Sequence, residues 1–337
     1  MLDPLLNRLR ALIERLLIVW LTLLCLAAFY WVDWPGARWD PFRATYPYRD
    51  YLFAATMLAI GSLLPREEVR QVTSRWPTVL GGTAIQYVSM PLLGYGVGRL
   101  FGLEGPWMIG IVMVGCVPGA MASNVLTLAA GGNVSYSVGL TTSATVFSPI
   151  FVPCALWLAL SGLAEFSAVE VTRKVTAVSV KLLWMVVLPV VVGYVLSQVS
   201  SFWAAVARRL AAIAANLTIL WIIALVVANN RDNLAELDGR ILLALLLVNV
   251  AGYSAGLLGG YSLRLPDPMR RALTLEVGMQ NAGLGTVLVG MVSRDPMAEI
   301  APAVYTFGCM FTGTLLARLW AEFDRVSGPE APRRGPG

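Results

Sequence analysis

One carboxylate in this sequence stands where a charge is costly. Glu276 lies inside an apolar run over 272–292, and the other carboxylates fall in loops or at segment ends. An unpaired charge near the centre of a bilayer costs at least roughly 2.5–3.5 kcal/mol, so Glu276 requires a counter-charge or a proton. No Lys or Arg lies in the middle of an apolar run to supply that charge. A bound cation is the simplest compensation, and a protonated Glu hydrogen-bonded to a neighbouring helix is the structural alternative.

The residues that follow Glu276 favour a hard cation. Gln280 comes four residues later, so both side chains share one face of a helix. Gly278, Gly283 and Gly285 make the stretch a poor continuous helix, which frees backbone carbonyl groups. Carboxylate, amide and carbonyl oxygens are the ligands that hard cations prefer. The stretch therefore predicts a cation site.

A second interrupted polar stretch lies in the first half of the chain. Pro118 and Gly119 are able to break a helix, and Ser123 and Asn124 then supply a hydroxyl and an amide oxygen. Paired Gly/Pro-interrupted spans in matching places of two halves indicate the binding site of a transporter. The alternative is that Ser123 and Asn124 only join helices, as small polar residues commonly do.

Further polar residues occur inside other apolar runs. Ser137 and Thr141 are four residues apart on one helix face, although hydroxyls can also satisfy themselves on their own helix. Gln86 is an amide deep in an apolar run, and an amide is costly to bury without a partner. Asn216 and Asn249 are interpreted as contacts between helices rather than as ligands.

The composition predicts the elements that carry these residues. Of 337 residues, 57% are hydrophobic and 13% are charged, about half the charge of a soluble protein. Apolar windows of the roughly 20 residues that cross a bilayer fall near 16–32, 48–64, 78–100, 106–130, 134–160, 175–196, 211–229, 241–261, 272–292 and 301–321. The sequence therefore predicts an all-α polytopic membrane protein with ten spans.

The ten windows divide into two sets of five with a similar rhythm. Five spans per half force the second half to insert upside down relative to the first, which gives the inverted-topology repeat of secondary transporters. We predict a first repeat over 1–165 (spans 1–5), a second repeat over 166–322 (spans 6–10) and a disordered cytoplasmic tail over 323–337.

The charges indicate orientation and exclude one class of partner. The net charge of +5 is spread over short loops and forms no basic block, so nucleic acid is not an expected partner. Arginine is in excess on the side that carries both termini, which predicts cytoplasmic termini and a multi-pass protein of the inner (plasma) membrane. Lys181 lies inside the sixth window and is expected to snorkel to an interface.

The sequence contains no histidine, which excludes Ser-His-Asp and Cys-His catalysis and His-containing zinc sites. With one central carboxylate it also lacks an aspartate dyad, so no enzymatic activity is expected. The four cysteines have no CxxC spacing and are interpreted as packing residues.

Several motifs together resemble the bile acid:sodium symporter family. They are Glu276-Val277-Gly278-Met279-Gln280-Asn281-Ala282-Gly283-Leu284, Pro118-Gly119 with Ala122-Ser123-Asn124-Val125, Gly132-Asn133-Val134, Ser148-Pro149 and Thr312-Gly313-Thr314-Leu315-Leu316-Ala317. The resemblance implies ten spans in a five-plus-five inverted repeat, with spans 4 and 9 broken and crossing. It also implies a core domain of spans 3–5 and 8–10, a panel domain of spans 1, 2, 6 and 7, and a substrate cleft between the two domains.

The resemblance also implies two sodium sites, with Na⁺ as the coupling ion and no other cofactor. The first site would be formed by Ser123, Asn124, Ser137, Thr141 and Glu276. The second would be formed by Gln86, Glu276, Gln280 and the backbone carbonyls of Val277 and Met279.

For the substrate, the resemblance places Asn281 at the crossing of the broken spans. Met121 and Met310 stand where members that take small carboxylates tend to have a hydroxyl and an Asn. These two methionines make the cleft more apolar, which argues against a specific small substrate such as pantoate and is compatible with a steroid acid or another amphipathic carboxylate. The predicted function is sodium-coupled symport of an organic anion by alternating access.

Three alternatives use the same fold. Glu276 would carry a proton in a proton-coupled transporter, and Cys116 leaves open arsenite efflux of the kind known in the related arsenite permeases. A protein that senses the ligand without transporting it is the third alternative.

Overall fold

The protein is all-helical over the part of the chain that the computed structural model describes, residues 16–34, 36, 38–66, 76–163, 166–235 and 237–327. The longer helices are α1 (Leu17–Tyr30), α2 (Arg49–Ser62), α3 (Trp76–Leu100), α4 (Gly105–Cys116), α5 (Ala122–Ala129), α6 (Val134–Ser161), α7 (Ala168–Leu182), α8 (Leu188–Val199), α9 (Ser201–Asn229), α10 (Gly239–Ser262), α11 (Asp267–Gly278), α12 (Ala282–Val292) and α13 (Ile300–Ser327). A π-helical turn over Leu183–Val187 joins α7 to α8.

Five helical stretches are long and apolar enough to cross a membrane: Val134–Ser161, Ala168–Val199, Ser201–Asn229, Gly239–Ser262 and Pro296–Val326. Shorter apolar helices cover Ile18–Asp33, Gly105–Cys116 and Ala282–Val292. Helix is present in each of the ten predicted windows, and the helix predicted near 211 begins earlier, at Ser201. The all-helical membrane class is confirmed, and the count of ten spans stays a prediction.

Glycines allow the helices to approach one another closely. In the contact of α2 with α8, a Cβ on Gly61 would lie 2.1 Å from the carbonyl oxygen of Val190, and a Cβ on Gly193 would lie 2.2 Å from that of Leu58. Lipid tails are as apolar as Leu, so close van der Waals packing at small residues has to replace the hydrophobic effect as the force between membrane helices. These glycines let that packing form.

The helices pack in two sets. In one set, α2 lies against α8 and α9, and α1 lies against α9. In the other set, α3 lies against α4, α6 and α10, and α10 lies against α11. The helices α5 and α11 also pack on α6, which places the interrupted segments inside the second set. The helix α7, which continues into α8 of the first set, packs on α6 as well and so joins the two sets.

Two details differ from the sequence prediction. The last helix, α13, continues to Ser327, so the first five residues of the predicted disordered tail are helical, and 328–337 lie outside the described residues. Cys25, Cys116 and Cys309 are buried, but Cys154 is exposed, so its interpretation as a packing residue is wrong. Hydropathy identified an apolar run around Cys154 without showing which side of the helix faces outward.

A second buried carboxylate lies at the start of α13. Glu299 is 3% exposed and accepts hydrogen bonds from the Tyr46 hydroxyl at 2.7 and 2.8 Å and from Arg49 Nη1 at 2.8 Å. Beside this cluster, Lys181 Nζ lies 2.7 Å from Asp50 Oδ2. Lys181 thus forms an ion pair with another helix rather than only snorkelling to an interface.

We expect Arg49→Leu to lower the stability of the folded protein by about 3 kcal/mol, because it leaves Glu299 buried without its cation. The measurement is the Tm of the purified protein in detergent. The double variant Arg49→Leu/Glu299→Leu should recover part of the loss, since no uncompensated charge remains. Arg325→Leu is the control, because Arg325 and Glu322 form an exposed ion pair, and it should leave the Tm unchanged. An equal loss in the single and double variants would contradict this account.

Candidate functional site

Two helix interruptions meet at one point. The helix α4 ends at Cys116 and α5 begins at Ala122, while α11 ends at Gly278 and α12 begins at Ala282. Val117 is extended, as expected for a residue before proline, so the first interruption begins where Pro118 predicts it.

The two extended segments between these helices run antiparallel and are joined by backbone hydrogen bonds. Ala120 N–H donates to the Met279 carbonyl at 2.7 Å, and Asn281 N–H donates to the Pro118 carbonyl at 2.7 Å. Gly119 and Gln280 therefore face each other as a bridge pair. The crossing satisfies backbone groups that the helix breaks would otherwise leave unpaired.

Gly119 brings the first segment against the carboxylate on α11. A Cβ built on Gly119 would lie 2.1 Å from Glu276 Oε1 and 2.6 Å from its Cδ. Only a residue without a side chain fits this approach.

Glu276 is fully buried, and one of its two oxygens has hydroxyl partners. Oε2 accepts a hydrogen bond from Ser123 Oγ on α5 at 2.5 Å and another from Thr141 Oγ1 on α6 at 2.8 Å. Two consecutive helices, α5 and α6, and the distant α11 thus meet at one carboxylate oxygen.

The rest of the first predicted set adjoins these contacts. Asn124 Oδ1 accepts from Ser137 Oγ at 2.7 Å and lies 3.4 Å from Thr141 Oγ1, whose one proton goes to Glu276. All five residues of the set therefore lie in one polar cluster. Thr127, which the sequence analysis missed, donates from Oγ1 to Ser137 Oγ at 3.2 Å. Its position four residues after Ser123, on the same face of α5, was an available signal.

The second predicted set is only partly joined by hydrogen bonds. Gln86 Nε2 donates to Gln280 Oε1 at 3.3 Å, and Gln280 Nε2 donates to the Val277 carbonyl at 2.7 Å. The Met279 carbonyl belongs to the crossing. No direct hydrogen bond joins Glu276 to either glutamine within the described part of the chain.

Two buried oxygens of this set have no hydrogen-bond partner among the residues that the structure describes. They are Glu276 Oε1 and Gln86 Oε1. A buried acceptor without a donor costs about 1–3 kcal/mol, and more when it is charged. A cation would compensate both atoms, because each is an oxygen ligand of the kind that hard cations bind. The donor set fits a cation better than it fits a network of hydrogen bonds alone.

The predicted substrate residues lie at different distances from the crossing. Asn281 is half-buried in the crossing, and its Oδ1 accepts from Leu284 N–H at 3.1 Å, which caps α12. Met121 is half-buried directly before α5. Met310 is buried on α13, outside the hydrogen bonds of the crossing. Cys116, the residue of the arsenite alternative, is fully buried at the end of α4.

Interrupted helices around a buried carboxylate, within a chain of long apolar helices, define a multi-pass membrane protein. The family description "Sodium Bile acid symporter family" matches residues 51–237, more than half of the chain. The chain belongs to the sodium bile acid symporter family, as the motifs of its two interrupted segments predict.

Several named relatives are similar over most of this chain. The uncharacterized sodium-dependent transporter YocS of Bacillus subtilis (strain 168) is 30% identical over 267 residues, which cover 79% of this chain and 80% of YocS. The probable sodium/metabolite cotransporter BASS1 of Arabidopsis thaliana chloroplasts is 28% identical over 265 residues, covering 79% of this chain and 64% of BASS1. The rice (Oryza sativa subsp. japonica) chloroplast protein BASS2, also a probable sodium/metabolite cotransporter, is 26% identical, with coverages of 78% and 61%. These names describe transporters, and none of the three names an enzyme.

Proposed function

We propose that this protein is a secondary transporter that couples the uptake of an organic carboxylate to sodium by alternating access. The observation that carries the proposal is the fully buried carboxylate of Glu276, whose Oε1 has no hydrogen-bond partner among the described residues. Membership of a sodium symporter family and relatives named as sodium-dependent transporters support sodium as the ion that compensates this charge.

The first proposed sodium site is the cluster of Ser123, Asn124, Ser137, Thr141 and Glu276. A hydroxyl has one proton and two lone pairs. Ser123 and Thr141 are therefore able to donate to Glu276 and still offer a lone pair to the ion, and Ser137 does the same while it donates to Asn124. Sodium binding at this site needs little rearrangement.

The second proposed site contains Gln86, Glu276, Gln280 and the carbonyls of Val277 and Met279. The unpartnered oxygens of Gln86 and Glu276 supply two of its ligands. The Val277 carbonyl now accepts from the Gln280 amide, so a rotation of that amide would release the carbonyl toward the ion. The two sites share Glu276, so one carboxylate serves both ions.

The proposed substrate site lies on the other side of the crossing, at Asn281. The first turns of α5 and α12 begin beside the crossing, and helix N-termini favour a negative group. Met121, half-buried before α5, adds an apolar surface. A carboxylate on an apolar body, an amphipathic organic anion, fits this combination better than a small polar acid.

For the movement, we propose that the two packed sets of helices are the panel and core domains. The panel would contain α1, α2 and α7–α9, and the core would contain α3–α6 and α10–α13. In this arrangement the chain has ten spans in two inverted repeats, 1–165 and 166–322, with both termini in the cytoplasm and the protein in the plasma membrane.

Sodium is expected to raise the Tm of the detergent-purified protein, and potassium at the same ionic strength is not. A ligand that binds only the folded state stabilises it by about 2.7 kcal/mol at 100 times its Kd. Carboxylates that differ in apolar bulk are then screened in both salts. A substrate of this transporter should stabilise strongly only in the presence of sodium.

Uptake into proteoliposomes completes the test of the proposed function. The carboxylate found in the screen should enter when sodium is outside, and exchange in a counterflow assay should exclude a ligand sensor that does not transport. Uptake that is indifferent to a sodium gradient, or driven equally well by a proton gradient alone, would contradict sodium coupling.

A further inference from the structure

The break after α11 leaves three consecutive carbonyls to be satisfied. In a continuous helix, the N–H groups of Asn281 and Ala282 would donate to the carbonyls of Val277 and Gly278. Here the Asn281 N–H donates to Pro118, and the Ala282 N–H donates to Gln280 at 2.8 Å. The carbonyls of Val277 and Gly278 are thereby released from their helical partners, and the third carbonyl, that of Met279, accepts from Ala120 N–H in the crossing.

The Gly278 carbonyl has two side-chain donors instead. Asn249 Nδ2 on α10 donates to it at 2.8 Å, and the Tyr305 hydroxyl on α13 donates to it at 2.8 Å. Both side chains are almost fully buried. Asn249 is thus a contact between helices, as its sequence position predicts, and it makes that contact at the middle carbonyl of the break.

A third side chain fixes the amide that makes this contact. Thr312 Oγ1 donates to Asn249 Oδ1 at 2.6 Å, so the amide oxygen is occupied and the amide nitrogen faces Gly278. Tyr253 contacts the same region differently. Its ring packs where a Cβ of Gly278 would lie, and its hydroxyl lies 3.2 Å from the Cys309 carbonyl and 3.1 Å from Thr312 Oγ1, so it belongs to the same network without contacting Gly278.

We propose that Asn249 and Tyr305 are positioning residues for the second sodium site. A peptide carbonyl that accepts two hydrogen bonds has both lone pairs occupied, so the Gly278 oxygen is turned away from the ion. Successive carbonyls are linked through planar peptides, and fixing the middle one limits the rotations open to the peptides that carry the Val277 and Met279 oxygens. This inference rests on the proposed function, because it assigns a role toward the ion of that site.

Tyr305→Phe and Tyr87→Phe form a matched pair for the test, because the buried Tyr87 hydroxyl on α3 donates to the Ala144 carbonyl at 2.7 Å, outside the network around Gly278. Each removes one buried hydroxyl and keeps the ring, so the two should lose similar thermal stability without sodium. Only Tyr305→Phe takes a donor from Gly278. Sodium chloride alone is titrated against potassium chloride at constant ionic strength, and the sodium concentration that gives half of the Tm increase is measured. Asn249→Leu is a second variant with the same expected direction.

The half-saturating sodium concentration should rise by about tenfold in Tyr305→Phe, the lower range for losing a partner that orients a metal ligand. It should stay within about twofold of the wild-type value in Tyr87→Phe, whose hydroxyl contacts neither this carbonyl nor Asn249 and Thr312. Equal sodium affinities in the two variants would overturn the inference and leave a purely structural network. A wild-type protein that sodium does not stabilise would instead overturn the proposed function. The two failures are therefore distinguishable.

Discussion

Glu276→Gln is expected to abolish sodium-dependent uptake and, at the same time, to stabilise the protein in the absence of sodium. The substitution keeps the size and shape of the side chain and removes its charge. Without an ion, the buried carboxylate carries a desolvation cost of at least roughly 2.5–3.5 kcal/mol, which the neutral amide avoids. With sodium, the charge that attracts the ion at both proposed sites is missing.

The loss of sodium binding should be large. We expect the sodium concentration for half-maximal stabilisation to rise by at least about 100-fold, which corresponds to about 2.8 kcal/mol. The two measurements are the Tm of the variant in potassium and in sodium, and uptake by proteoliposomes. In potassium, the Tm of the variant should be higher than that of the wild type. When potassium is replaced by sodium, the Tm of the variant should rise less than that of the wild type.

Glu299→Gln is the matched control, because Glu299 is the other buried carboxylate among the residues that the structure describes and its partners are Tyr46 and Arg49. This variant removes the 2.8 Å ion pair of Arg49 and leaves only its 4.0 Å contact with Asp50, so it should lower the Tm in both salts and keep the sodium response. If Glu276→Gln retained sodium-dependent uptake, or if both variants lost the sodium response equally, the assignment of Glu276 to the ion would be wrong.

Gly119→Ala is expected to disrupt the crossing with a single methyl group. The new Cβ would lie 2.1 Å from Glu276 Oε1, so either the carboxylate or the extended segment has to move. Overpacking of this kind costs about 1–3 kcal/mol. Because the same movement displaces Glu276 from Ser123 and Thr141, sodium-dependent uptake should fall below detection even in protein that folds.

Gly308→Ala provides the comparison, since a Cβ on Gly308 of α13 would have no atom within 4 Å. A helical Gly→Ala change of this kind is neutral or stabilising by roughly 0.5–1 kcal/mol. Wild-type uptake and Tm in Gly308→Ala, beside a lowered Tm and lost uptake in Gly119→Ala, would establish that the close approach matters. Full activity in Gly119→Ala would show that the segment can move away without consequence.

Much of the architecture follows from local sequence properties. A proline and a glycine at 118–119, and Gly278, predict the two interruptions because each changes what the backbone can do at its own position. Gly283 and Gly285, which were expected to weaken the helix as well, lie inside α12. A spacing of four residues likewise predicts that Ser137 and Thr141 lie on one face of their helix. These properties need no knowledge of the neighbouring helices.

The contacts that the sequence did not predict depend on how whole helices are rotated. Glu299 follows a short polar loop and resembles a loop charge, although it is buried against Tyr46 and Arg49, about 250 residues away in sequence. The role of Tyr305 at the Gly278 carbonyl is similarly hidden, since an apolar helix gives no periodic signal for the side that faces its partner.

The hydrogen-bonded crossing also has a thermodynamic consequence. Gln280, assigned to the ion, and Asn281, assigned to the substrate, are consecutive residues fixed to the opposite segment by Asn281 N–H and the Pro118 carbonyl. Ordering this peptide for one ligand orders it for the other, and a coupling between two binding equilibria is reciprocal. A carboxylate that binds tenfold more tightly in sodium must therefore increase the affinity for sodium tenfold. The sodium affinity can be measured in the presence of each carboxylate in turn. Its increase ranks the carboxylates by how strongly their binding is coupled to sodium binding, and no labelled carboxylate is needed.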